Sequence, residues 1–179
     1  MKKIFKKKYN KIGILGGTFD PPHTGHLYIS KIVLKKLKLD KILWIITKKN
    51  PLKSKPFLPK KERIKLSRKI TKNEKKIFVK DIEKKVKSTN TFDLLNYINI
   101  KNPKEKIFFI VGADNLKKFH KWKNWKKISE LAKIVVFPRN KYSTKSFNSK
   151  VLKKLGKKDI IFIKAKKVNI SSSLIRKFW

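Results

Sequence analysis

Cysteine is absent from this chain of 179 residues, which excludes disulfides and thiolate metal sites and suits a reducing cytoplasm. No apolar run approaches the roughly 18 residues of a membrane span. The opening "MKKIFKKKYNK" is basic but no apolar stretch follows it, so no signal peptide is read. Histidine is scarce, at three residues, and acidic side chains number 11 against 51 basic ones. No internal repeat and no domain linker is visible, so the reading is one domain over residues 1–179, long enough for a sizeable core.

What is abundant is lysine. The formal net charge is +40, a field that attracts nucleotides, nucleic acid or anionic lipid. The lysines are spread through every segment, which fits solvated surface and the compositional bias of an AT-rich genome better than a dedicated patch.

Apolar runs alternate with helical patterns. "KIGILGG" (11–17) reads as a buried strand ended by glycines, and 24–38 as a helix. "KILWIIT" (41–47) is a second strand. A proline-rich loop follows over 48–59, and Pro59 opens a helix at its first turn. Further strands are read at 76–82, 106–114, 132–138 and 159–165, with Pro138 stopping the fifth and a polar surface loop over 139–150. Asn90 or Thr91 caps a helix over "FDLLNYI", and serines cap one in "SSSLIRKFW". Strands alternating with helices predict a three-layer α/β fold with parallel strands. In such sheets ligands bind beyond the carboxyl ends of the strands. The junctions at 16–26 and 111–115 and the caps at 170–173 would then face one crevice.

The first junction, "GGTFDPPHTGH", carries the most chemistry. Gly16 and Gly17 let a ligand approach the backbone. Thr18 offers a hydroxyl. The helix starting near Thr24 presents free N–H groups to an anion. His23 and His26, three apart, can point to one side and donate to phosphate oxygens. Two histidines without a third ligand make a poor zinc site, so no protein-held metal is expected. In "ISSSLIR" (170–176) a serine cap leaves hydroxyls and N–H groups facing an anion, and Arg176 on the next turn can grip phosphate bidentately. In "FIVGADNLKKFHKWKNW" (109–125), Gly112 ends a strand, Asp114 can accept from a sugar or amine, and Trp122 can stack on a ring. Packing into the core is the competing role for Trp122, and more strongly for Trp125.

The string "GTFDPPHTGH" resembles the T/S-x-x-H-x-G-H signature of the nucleotidyltransferase superfamily. The longer "GGTFDPPHTGHL" is most similar to bacterial nicotinate-nucleotide adenylyltransferases. "ISSSLIR" resembles that family's I-S-S-T-x-I-R, with Ser173 where threonine is usual. "GADNL" with "FHKWKNW" resembles its acceptor segment, with Lys123 where an aromatic is frequent. "NPLK" (50–53) resembles the P-P-H-K loop, keeping Lys53 but not the histidine. "STNTFDLL" (88–95) matches the S/Y-T-x-D-T-L segment at Thr91 and Asp93, with Leu94 replacing its second threonine. Together these pieces run from about residue 12 to 176 in family order.

The resemblance implies a Rossmann-like nucleotidyltransferase fold with a mainly parallel sheet. It implies adenylyl transfer from ATP to nicotinate mononucleotide, giving deamido-NAD and pyrophosphate, a step of NAD biosynthesis. His26, His23 and Arg176 would be catalytic. Gly16, Gly17, Thr18, Ile170, Ser171 and Ser172 would join them around ATP. Thr91, Gly112, Asp114, Trp122 and Lys53 would form the mononucleotide side. Mg²⁺ would ride on the phosphates, mostly through water. A homo-oligomer is compatible with the sequence. Rival acceptors within the superfamily are phosphopantetheine and nicotinamide mononucleotide. The rival of another class is a basic RNA-binding protein, but no recognition helix or aromatic RNA-reading signature is present, so neither a specific nucleic acid nor a membrane is expected as partner.

Overall fold

The computed structural model describes residues 10–50, 55–137, 151, 154–155, 159–163, 165 and 170–178. The readings for Lys53, Pro138 and the 139–150 loop lie outside these residues. Strand β1 spans Lys11–Gly17, β2 Lys41–Ile46, β3 Ile77–Lys80, β4 Lys106–Gly112, β5 Lys133–Phe137 and β6 Ile160–Phe162. They form one sheet in the order β3-β2-β1-β4-β5-β6. Every neighbouring pair is parallel, so the expected mainly parallel sheet is wholly parallel among the described residues.

The helices follow the strands as crossovers. They are α1 (Thr24–Lys36), α2 (Lys60–Ile70), α3 (Glu83–Val86), α4 (Thr91–Lys101), α5 (Ala113–Lys117), α6 (Trp125–Leu131) and α7 (Ser172–Ile175). Period-2 alternation in the strands explains the three layers. From β4, Ile107, Phe109 and Val111 pack on the α4–α6 side, while Phe108 and Ile110 pack on the α1–α2 side. Both faces of the central strands are covered, so their sequences read as continuous apolar runs.

Sequence boundaries shift where the helix start overrides the strand pattern. The strand read over 106–114 ends at Gly112, and Ala113 and Asp114 already belong to α5. The strands read over 76–82 and 159–165 shorten to four and three residues. Asn90 is the cap residue of α4 but its side chain makes no capping bond. Its amide instead donates to Asp93, which also receives the Ser88 hydroxyl at 2.6 Å.

The order in which strands are added reverses between β1 and β4. From β1 the chain moves outward through β2 and β3, then returns to place β4 on the other flank of β1. Crossovers leave to opposite sides here, so a crevice opens beyond the carboxyl ends of these two strands.

Candidate active site

The crevice encloses about 1270 Å³ of empty space when its open mouth is included. On one side it is lined by Gly16, Gly17, Thr18 and His26, with Ser171, Ser172 and Ser173 beside them. On the other side stand Thr91, Gly112, Asn115 and Trp122. The structure thus gathers four separated sequence segments around one opening.

A Cβ added at Gly16 would come no nearer than 3.8 Å to Phe109. A side chain there would fit the protein but occupy ligand space. The turn that follows is unusual. Phe19 has φ 49° and the Asp20–Pro21 peptide is cis. The left-handed conformation costs a non-glycine residue about 1 kcal/mol or more. Burial of the Phe19 ring against Trp44 and His26, at 4.9 and 4.7 Å, offsets that cost.

Helix α1 begins with a reciprocal cap. The His26 N–H donates to the His23 carbonyl at 2.9 Å, and the His23 N–H donates to His26 Nδ1 at 3.2 Å. Because Nδ1 accepts, the neutral ring carries its proton on Nε2. The two rings lie 3.9 Å apart. His26 lines the crevice, whereas His23 is buried behind it. Gly25 makes this possible, since a Cβ there would sit 2.8 Å from His23 Nδ1 and 3.0 Å from Ile170 Cγ2. Ile170 therefore packs close over Gly25. From beneath, Trp44 donates to Ser30 at 2.8 Å, and Ser30 donates to the His26 carbonyl at 2.9 Å.

The carboxyl-terminal segment docks on the same turn. Ser171 caps α7 by accepting from the Leu174 N–H, and the Ser172 hydroxyl donates to the Pro21 carbonyl at 2.9 Å. Arg176 donates to the Asp20 carbonyl and lies 3.6 Å from its carboxylate. Asp20 also accepts the Phe57 and Leu58 N–H groups at 2.8 and 2.9 Å.

On the acceptor side, the Trp122 ring leans on Phe119 at 5.1 Å and on Phe109 at 6.1 Å. Trp122 is therefore both core support and crevice wall. Its indole N–H is buried and finds no partner among the described residues. Trp125 packs edge-on to Phe119 at 6.4 Å and does not line the opening. Asp114 stands in the first turn of α5, off the lining, where Asn115 takes the wall position.

Phe19, Asp20, Trp44, Arg63 and Glu83 build the site yet escaped the sequence reading. One signal existed for Arg63. Only four of the 51 basic residues are arginine, and two of them, Arg63 and Arg176, adjoin the crevice rim. Burial pulls the Arg63 pKa below the ordinary arginine value, with Asp20 and Glu83 pushing back. The group stays charged at any working pH. Among the described residues no cluster of three or more His, Cys, Asp or Glu can hold a metal ion, and no helix is long and apolar enough to cross a membrane.

The Cytidylyltransferase-like family matches residues 14–178. A Pelagibacter ubique (strain HTCC1062) protein named "Probable nicotinate-nucleotide adenylyltransferase" is 50% identical over 96% of this chain and 94% of its own length. The solved Plasmodium falciparum nicotinic acid mononucleotide adenylyltransferase complexed with NaAD superposes with a TM-score of 0.77, at 26% identity over 94% of this chain and 83% of that one. The same Plasmodium enzyme complexed with APC gives a TM-score of 0.75 at 25% identity, with the same coverage.

Proposed function

Since the chain belongs to the Cytidylyltransferase-like family, and within it to the nicotinate-nucleotide adenylyltransferases, we propose that the crevice beyond β1 and β4 is where it joins ATP to nicotinate mononucleotide. The enzyme is a nucleotidyltransferase of NAD biosynthesis. The acceptor phosphate attacks the α-phosphorus of ATP, and pyrophosphate leaves as deamido-NAD forms. The nucleophile is already an anion, so the reaction needs no general base. Rate then comes from alignment and from neutralising charge at an in-line transition state.

The residues divide accordingly. Gly16 and Gly17 leave room for ATP, and Thr18 offers its hydroxyl to the phosphates. His26 donates from Nε2, the tautomer set by its bond from the His23 N–H. The N-terminus of the 13-residue α1 adds its dipole. His23 acts from behind by holding the His26 ring. Ile170 and Ser171 border the adenosine side, while Ser172 and Arg176 take the departing pyrophosphate. Arg176 is held by Asp20, so gripping phosphate means sharing its fork with that partner. Thr91, Gly112 and Trp122 frame the mononucleotide, with the Trp122 indole N–H a ready donor. Asp114 acts at one remove, from the first turn of α5.

Mg²⁺ fits this arrangement as a passenger of ATP. A hard, water-retaining cation would enter with the nucleotide and need no cage of carboxylates. It would neutralise phosphate charge while the chain's own groups orient the oxygens. The proposed compartment is the cytoplasm, which a chain without cysteine suits.

One observation supports the reading above the others. His26 and Trp122 line one and the same crevice, together with the ends of β1 and β4 at the switch point of the sheet. The test is pyrophosphate release with Mg·ATP, offered nicotinate mononucleotide and nicotinamide mononucleotide in parallel. Release with the acid alone is expected. Release with neither refutes the acceptor assignment.

A further inference from the structure

Strands β1 and β2 pair up to Gly17 and Ile46, and the Thr47 N–H still donates to the Gly17 carbonyl at 2.9 Å. Beyond that bond the two chains part to form the rims of the crevice. The Thr18 and Thr47 carbonyls both receive one nitrogen of Arg63. Its Nη1 donates to the Thr18 oxygen and, at 2.8 Å, to the Thr47 oxygen. Its Nη2 reaches the Lys48 carbonyl at 3.3 Å, and its Nε the Leu58 carbonyl at 3.0 Å. A guanidinium that is 2% exposed thus spends its donors on the backbone of three segments.

Glu83 completes the hold. Both its oxygens accept the Lys48 N–H, at 3.0 and 2.8 Å, and Lys60 anchors the carboxylate at 2.6 Å. The Lys48 residue is gripped at its N–H by Glu83 and at its carbonyl by Arg63. Lys49 and Asn50, the next residues, line the crevice. Asp20 links the same knot to Arg176, through Leu58 on one side and its own carboxylate on the other.

We propose that Arg63, with Glu83, is a positioning residue for adenylyl transfer. It sets the spacing between the Thr18 rim and the 47–50 rim, and so aligns one substrate with the other. The inference rests on the reading that ATP occupies the first rim and the mononucleotide approaches the second. Stability alone does not call for this device, because a well-packed apolar side chain often replaces a buried charge without loss. What the fork supplies is a fixed geometry. Four carbonyls in diverging directions suit a planar guanidinium and not a three-donor ammonium, and this in a chain with 47 lysines and four arginines.

The test compares R63K and E83Q with the wild type below their melting temperatures, per folded molecule. Turnover is measured with both substrates varied, alongside amide hydrogen exchange of the whole chain. A rim displaced by an ångström predicts a kcat loss of about 30- to 100-fold in R63K, with KM for ATP within about threefold. Exchange at the 47–50 amides rises by about tenfold or more while the β4 amides stay protected. E83Q shows the same pattern, more weakly, and decides the matter should R63K not fold. A kcat within about twofold of wild type in a folded variant overturns the proposal. So does a kcat loss with unchanged exchange at 47–50. Should the wild type itself turn over neither mononucleotide, the acceptor reading fails, and the exchange comparison alone decides whether the clamp exists.

Discussion

Replacing Gly25 with alanine separates packing from helix propensity. No described glycine has a positive φ, so the backbone does not demand glycine at this position. In the first turn of α1 an alanine would add up to about 1 kcal/mol of helix stability. The obstacle is space. The new methyl would lie 2.8 Å from His23 Nδ1, 2.9 Å from its Cε1 and 3.0 Å from Ile170 Cγ2. These contacts fall roughly 0.5–0.7 Å short of a comfortable separation. The His23 ring is buried with its centroid 3.9 Å from that of His26, so a shift of His23 presses on His26 at the crevice. Overpacking of this kind costs about 1–3 kcal/mol. The net change is then about 0–2 kcal/mol, or roughly 0–8 °C in melting temperature for a chain of this length. Activity suffers far more. An ångström of displacement at a phosphate-binding group lowers the rate about 100-fold, equivalent to about 2.7 kcal/mol. The assay is pyrophosphate release per folded molecule, with the melting temperature taken on the same sample. A Gly25→Ala protein with wild-type kcat/KM refutes the claim that the paired histidines align the phosphates. It does so whatever happens to the melting temperature.

Other perturbations probe the same framework. His26→Ala should lower kcat/KM by about 10²–10³-fold, as loss of a preorganised donor does, and turnover near wild type removes His26 from the mechanism. Trp44→Phe deletes the indole bond to Ser30 at 2.8 Å in a fully buried site. It should cost about 2–3 kcal/mol, read as a lower midpoint in urea. Asp93 tests the pH dependence of α4. The Ser88 hydroxyl, bonded to it, holds its carboxyl below the usual value, helped by Asn90 and Lys123 against the opposing effect of burial. Its stabilisation is therefore complete above the unfolded value of about 3.9 and disappears as pH falls through the lower folded value. Asp93→Asn should lose roughly 1 kcal/mol at neutral pH and show a flatter midpoint-versus-pH curve as the pH falls below about 5. Parallel curves for the two proteins would contradict this.

Much of the fold was legible because its signals are local. Continuous apolar runs such as "KIFFIVG" need both faces covered, which implies a parallel sheet under helices. The strand-glycine-helix junction at 16–26 is equally local, since strand end, turn and helix start lie within a dozen residues. The boundary error at Ala113 and Asp114 arose where a helix begins directly on a strand end, so that apolar pattern and helix start overlap. Trp122 was ambiguous between stacking wall and core, and it is both packed on Phe119 and open to the crevice. Asp114 was read as an acceptor at the helix start, and in the first turn of α5 it is the next residue, Asn115, that lines the crevice.

The sequence by itself determined the alternation of elements, the parallel sheet and the strand-glycine-helix junction at 16–26, because each follows from residues close together along the chain. Tertiary structure alone decided how the loops are held. Arg63 meets Thr18 across 45 residues, Glu83 meets Lys48 across 35, and Arg176 meets Asp20 across 156. The acceptors for both arginines are chiefly backbone carbonyls, which every residue carries. A carbonyl leaves no mark in the amino-acid code, so only the folded path of the chain reveals which ones a buried guanidinium will find.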